Sequence, residues 1–61
     1  MPIVRIELYK GRTRAQKAQV AKEITEVLER VCGCKPSHTH IIFADIDKSD
    51  WADAGKLADE A

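Results

Sequence analysis

The sequence predicts a small α+β fold. It is a single βαβ unit with parallel strands and a short C-terminal turn or hairpin, its sheet completed by other copies of the chain. Three observations lead there: an alternating run at residues 3–9, an apolar stripe at helical spacing over 14–32, and an apolar run over 39–46. In the first run Val4, Ile6 and Leu8 fall on one face and Ile3, Arg5, Glu7 and Tyr9 on the other. This is the period-two signature of a strand with one wholly apolar face. Lys10-Gly11-Arg12 breaks the alternation, and Thr13 with Gln16 three residues on is a capping-box pattern that starts a helix. Ala18, Ala21, Ile24, Val27, Leu28 and Val31 then recur at helical spacing, while Lys22, Glu23, Glu26 and Arg30 take the outer face. Glu26 and Arg30 form a well-oriented i,i+4 pair. Gly33 suits the left-handed position past a helix end, and Pro36 blocks any resumption.

The next run, Thr39 to Ile46, is apolar on both alternating faces, as in a strand covered on two sides. A strand–helix–strand crossover is right-handed in about 98% of cases and makes the strands parallel. Two strands are too few for a stable sheet, so the open edges and the doubly apolar second strand call for neighbouring subunits. The tail after Asp47 carries Trp51 and Gly55 among polar residues without a clear period. A turn or hairpin, then an arm laid on another subunit, is expected there. With no repeat or linker in view, residues 1–61 are read as one domain.

Ten Lys and Arg balance ten Asp and Glu, so no global field draws this chain of 61 residues to nucleic acid or an anionic membrane. No apolar run approaches the ~20 residues of a transmembrane helix. The start, Met1-Pro2-Ile3-Val4-Arg5, lacks the apolar core of a signal peptide, and the expected compartment is the cytoplasm. A domain this small buries only about 60% of the surface its unfolded chain exposes. Cys32 and Cys34 flank one glycine, a spacing at which a disulfide would be strained and would close almost no loop. Self-association is the remaining route to stability.

Chemistry has four places to sit. Pro2 becomes a secondary amine at the chain terminus if the initiator Met1 is removed, as expected before a small residue. An α-amino group titrates at about 7.7 to 8.0. Apolar surroundings or a nearby guanidinium pull that value toward neutrality, where a general base works best. The plain alternative is a permissive start to an edge strand. Lys10, Arg12 and Arg14 cluster where a helix begins, although cations there oppose the macrodipole and an anion is favoured. Arg12, whose planar fork can make two parallel hydrogen bonds, is the choice for a carboxylate clamp; the alternative is a solvated basic turn. Cys32, Cys34, His38 and His40 are four soft or borderline ligands, but the Cys-x-Cys spacing fits zinc poorly. Cys32 otherwise ends the apolar helix face, Cys34 is a turn residue, and His38 and His40 share a strand face. Trp51 is the lone tryptophan, an interface anchor or a pocket wall, and Asp53 beyond it is read as solvent-facing.

Together these residues resemble the 4-oxalocrotonate tautomerase family along essentially the whole chain. The resemblance runs through Pro2-Ile3, Gly11-Arg12-Thr13 with Gln16-Lys17, Pro36 before the second strand, and Trp51 followed by small residues to Gly55. It implies a hexamer built as a trimer of dimers, each dimer joining two βαβ units in one sheet, and a tautomerase that needs no cofactor or metal. Pro2 would be the general base, Arg12 would hold the carboxylate of a small unsaturated or 2-keto acid, and Ile3 would line the site. Trp51 would wall the pocket from another subunit. His40 stands where the tautomerase has a second arginine, which weakens recognition of a diacid while leaving a donor for a carbonyl or enol oxygen. Asp53 stands where related chloroacrylic acid dehalogenases place a water-activating acid, though Tyr9 replaces the arginine they carry. Hydratase or dehalogenase chemistry with Pro2 and Asp53 is therefore the alternative enzyme reading. A noncatalytic oligomeric binding module is the alternative outside enzymes.

Overall fold

In a computed structural model, which describes residues 1–60, the first strand, β1 (Ile3–Tyr9), follows directly from the alternation in its sequence. Val4, Ile6 and Leu8 are half-buried while Ile3, Arg5, Glu7 and Tyr9 are exposed. Helix α1 (Arg14–Cys32) opens on the expected capping box. The Thr13 hydroxyl accepts from the Gln16 amide at 3.1 Å, and the Gln16 side chain accepts from the Thr13 amide at 2.9 Å. Two of the donors that every helix start leaves open are thus satisfied. At the far end Gly33, at φ 70°, closes the helix in the left-handed conformation, its amide donating to the Glu29 carbonyl at 3.0 Å.

Strand β2 (His40–Ile46) pairs with β1 in parallel, Ile3 opposite His40 through Tyr9 opposite Ile46. That register sets Val4 beside Ile41 and Ile6 beside Phe43 on the side that α1 covers. Leu8 sits beside Asp45, and Lys17 of α1 reaches Asp45 with its ammonium at 2.5 Å, tying helix to sheet on the same side.

Two expectations are corrected. His38 is not on the strand: Pro36 opens a short 3-10 turn over Pro36–His38, and the Thr39 hydroxyl donates back to the Lys35 carbonyl at 3.0 Å. A proline fixes the φ that such a turn requires, so the strand begins two residues after His38, and His38 shares no face with His40. The burial implied for the cysteines is also reversed, although Cys32 does end the helix and Cys34 does lie in the turn beyond it. Cys32 is exposed, while Cys34, whose amide returns to the Leu28 carbonyl at 3.3 Å, is folded back and half-buried.

After β2 a 3-10 turn over Lys48–Asp50 leads into a small antiparallel hairpin, β3 (Ala52–Asp53) and β4 (Lys56–Leu57). Ala54 and Gly55 link them at φ 54° and 80°, the pair of positive angles that a tight two-residue hairpin turn demands.

No described residue is fully buried. The chain exposes 4892 Å², where a self-sufficient folded monomer of its mass exposes about 4000 Å². Its radius of gyration is 14.7 Å against about 10.5 Å for a compact chain of this length. The predicted helix stripe divides accordingly. Ala21, Ile24 and Leu28 are half-buried against the sheet, whereas Val27 and Val31 are 44% and 69% exposed.

The reciprocal cap carries a measurable share of this fold. Replacing Thr13 with alanine is expected to lower stability by about 1 kcal/mol. Denaturant midpoints compared at one fixed protein concentration check this, because association contributes to the apparent stability.

Candidate active site

Parallel pairing collects the two strand starts at one end of the sheet. Pro2 is half-buried there, and its carbonyl accepts a hydrogen bond from the His40 amide at 3.0 Å. Ile3, 62% exposed, lies beside His40 in the register, so Pro2, Ile3 and His40 form one group.

The other predicted residues lie beyond the strand ends. β1 alone spans about 23 Å at ~3.3 Å per residue, so Arg12 is more than a strand's length from Pro2 within one chain. Arg12 is exposed and lines a groove of about 430 Å³ on the helix side of the sheet, with Ile6, Leu8, Gln16, Val20 and Phe43 among its walls. Neither ion pair among the described residues engages its guanidinium. Trp51 is half-buried on the opposite face, where Glu7, Ile46, Asp50 and Ala52 join it around a shallower hollow of about 280 Å³. Asp53 is exposed in β3 and faces Lys56 across the hairpin. Pro2, His40 and Asp53 line neither opening.

Sequence reasoning noted Tyr9 only as the replacement for the dehalogenases' arginine, yet its ring packs against Trp51. The two ring centroids are 4.6 Å apart at 57°, and the Lys48 ammonium stands 5.5 Å from the Tyr9 ring centre. Tilted aromatic pairs and cations over ring faces are both attractive at these distances. The available signal was Tyr9's place at the end of β1, on the face away from the helix. Cys32, Cys34, His38 and His40 are not assembled for a metal: no group of three or more His, Cys, Asp or Glu among the described residues forms a ligand set.

One chain thus offers an apolar, carbonyl-anchored proline at one end, and an unpaired guanidinium and a braced indole at the other. The family comparison is decisive: residues 2–60 match the model of the tautomerase enzymes. The chain belongs to the tautomerase family. A protein named "Probable tautomerase" from Ralstonia nicotianae is 42% identical over 60 residues, covering 98% of this chain and 92% of that one. A structure from work on the 4-oxalocrotonate tautomerase isozymes of Methylibium petroleiphilum superposes with a TM-score of 0.87 at 30% identity, over 93% of this chain and 89% of that one. A fused 4-oxalocrotonate tautomerase described as an asymmetric trimer gives 0.87 at 29% identity, over 95% of this chain and 47% of that longer one. This tautomerase is accordingly an isomerase, with the small α+β fold of those relatives. No helix among the described residues is long and apolar enough to cross a membrane.

Trp51 is the sole tryptophan, so its fluorescence reports the contact with Tyr9 directly. Tyr9→Leu is expected to shift the emission to longer wavelength as the indole gains water. Unchanged emission would show that the ring pair does not shield it.

Proposed function

We propose that this tautomerase moves a proton between the enol and keto forms of a small unsaturated or 2-keto carboxylic acid, with Pro2 as general base once Met1 has been removed. The observation that carries the reading is the position of Pro2. Its carbonyl is fixed by the His40 amide, which leaves the ring nitrogen at the open start of the sheet in a chain matched to the tautomerases from residue 2 onward.

The freed nitrogen lone pair takes the proton from the enol hydroxyl, or from carbon α to a carbonyl, and the resulting ammonium returns it at another carbon. The electrons released pass through the dienolate or enolate, so no cofactor or metal is drawn on. Arg12 of another subunit holds the substrate carboxylate through its two-pronged fork. The His40 side chain, beside Pro2 at the strand start, donates to the oxygen on which charge develops. Ile3 and Trp51 exclude water, which strengthens each polar contact. With His40 rather than an arginine at that position, monoacids suit the site better than diacids. Asp53, exposed and set across from Lys56, has no observed contact that favours the hydratase reading.

The reading requires several chains, since Pro2 and Arg12 lie at opposite ends of one. We take residues 1–61 as one domain of a homo-oligomer, built as a hexamer of three dimers and working in the cytoplasm. The absence of any buried residue among those described supports assembly, as does the trimeric description of the fused relative.

Turnover of phenylenolpyruvate and of 2-hydroxymuconate tests the mechanism. Pro2→Ala is expected to lower kcat by about 10² to 10⁴, the usual contribution of a positioned base. Arg12→Ala is expected to raise KM at least tenfold with a smaller effect on kcat. Intact mass of the active enzyme should show Met1 absent. Full activity with Met1 retained, or with Pro2 replaced, would remove the amine from the mechanism.

A further inference from the structure

We propose that Lys48 is a positioning residue of this site: its ammonium restrains the Tyr9 ring, and that ring keeps the Trp51 indole in the orientation that walls the pocket. The positioning role rests on the proposed part of Trp51 in that wall, whereas the contacts that make it lie within one chain.

Three side chains stand in series. Lys48 opens the 3-10 turn that Trp51 follows, and the Trp51 amide donates to the Lys48 carbonyl at 3.3 Å. The Trp51 carbonyl accepts from the Ala58 amide at 2.7 Å, so the backbone at the indole is held on both sides. What stays free is rotation about the side-chain torsions. There is room for it, since Trp51 borders a hollow of about 280 Å³ with Glu7, Ile46, Asp50 and Ala52. Tyr9, fixed at the end of β1 by its pairing with Ile46, packs against the indole at a centroid distance of 4.6 Å. The Lys48 ammonium lies over that same Tyr9 ring, 5.5 Å from its centre.

Carboxylates compete for this lysine along the chain. Asp47 precedes it, Asp50 closes its turn, and Glu7 lies two residues before Tyr9 on the same face of β1. Asp47 is engaged by Lys10, and neither ion pair among the described residues includes Lys48. The ammonium stands over the ring instead, where the negative face of the aromatic attracts it. Tyr9 is thereby held from two sides of the argument, by a cation and by an indole, and moving the ring away forfeits both contacts.

An indole turned into the hollow leaves the site open to water. Substrate binds the walled population, so its apparent affinity falls in proportion to that fraction, while the bound complex, already walled, turns over at an unchanged rate. A cation over an exposed ring shifts such a balance about two- to fivefold. Lys48 therefore acts on KM and leaves kcat alone, without touching substrate.

Lys48→Met, which keeps an unbranched stem and removes the charge, tests this beside Lys48→Arg, which keeps the charge. Lys48→Met is expected to raise KM for phenylenolpyruvate about two- to fivefold at constant kcat, and to move Trp51 emission to longer wavelength in the substrate-free protein. Lys48→Arg should restore both to wild type, and in a Tyr9→Leu chain Lys48→Met should change neither any further. Wild-type KM and emission in Lys48→Met would overturn the proposal, as would an emission shift without a change in KM. An effect on KM that persists in full without the Tyr9 ring would also overturn it, because the lysine would then act on substrate directly. Emission is read without catalysis. If Pro2→Ala proves fully active while the Lys48 results hold, the amine mechanism fails and the positioning of Trp51 stands.

Discussion

The governing constraint is that the described residues supply one α-helix and two long strands with which to shelter their apolar side chains, and these do not suffice. Helix α1 covers one side of the sheet, bringing Val4, Ile6, Leu8, Ile41 and Phe43 to half burial. The opposite side keeps Ile3 at 62% and Ile42 at 41% exposure, and the helix keeps Val20 and Val27 open as well. The free energy that would come from covering these surfaces can only be gained between chains. Folding and association are then coupled, and the stability of the fold depends on protein concentration.

The same topology explains why the proposed site is divided. In a parallel pair both strands begin at one end, and whatever follows either strand emerges at the other. Pro2 and His40 precede or open their strands; Arg12 and Trp51 follow theirs. No rearrangement of side chains within a single βαβ unit brings the first two to the second two. A neighbouring chain that lays its strand ends beside the first chain's strand starts would do so. Under the proposed function, oligomerisation and catalysis are answers to one geometric problem.

Much of the fold was legible because its signals are local. Alternation over Ile3–Tyr9, the Thr13–Gln16 reciprocal cap and Gly33 at the helix end each act within a few residues, and each element formed at the expected bounds. The second strand began one residue later than its composition suggested, since Thr39 turns its hydroxyl back to Lys35. His38 was misplaced because the 3-10 turn from Pro36 depends on the chain's path into β2, and residue type alone does not disclose it. The tail gave no period because its hairpin is only two residues per strand, and Ala54 at positive φ carries no marker in sequence. Val27 and Val31 look like core in the sequence and are exposed in the lone chain. The helical pattern anticipates the assembly, whereas burial in one chain does not include it. For the site, the strand read over residues 3–9 already separates Pro2 from Arg12 by its length, whereas the register that sets Ile3 beside His40 emerged only with the structure.

The start of α1 shows why a locally unfavourable sequence persists. Arg12 stands just before the N-cap, Arg14 is the first helical residue, and the first turn carries no acid. Cations in this position oppose the helix dipole at roughly 0.3 to 1 kcal/mol each when exposed. A chain selected for helix stability alone would place Asp or Glu here. The Lys10 ammonium is committed to Asp47 and the Lys17 ammonium to Asp45, so the two nearby lysines have their counter-charges while Arg12 has none among the described residues. An arginine without an ion-pair partner among the described residues, on a turn that pays for its charge, is what the proposed carboxylate clamp would require. On the proposed reading the missing negative charge arrives with the substrate, and binding then relieves a repulsion already built into the free protein. Sequence-level rules are expected to fail at functional sites for this reason. The failure at Arg12 thus supports the same reading as the placement of Pro2, although the two residues sit on opposite ends of the chain that carries them.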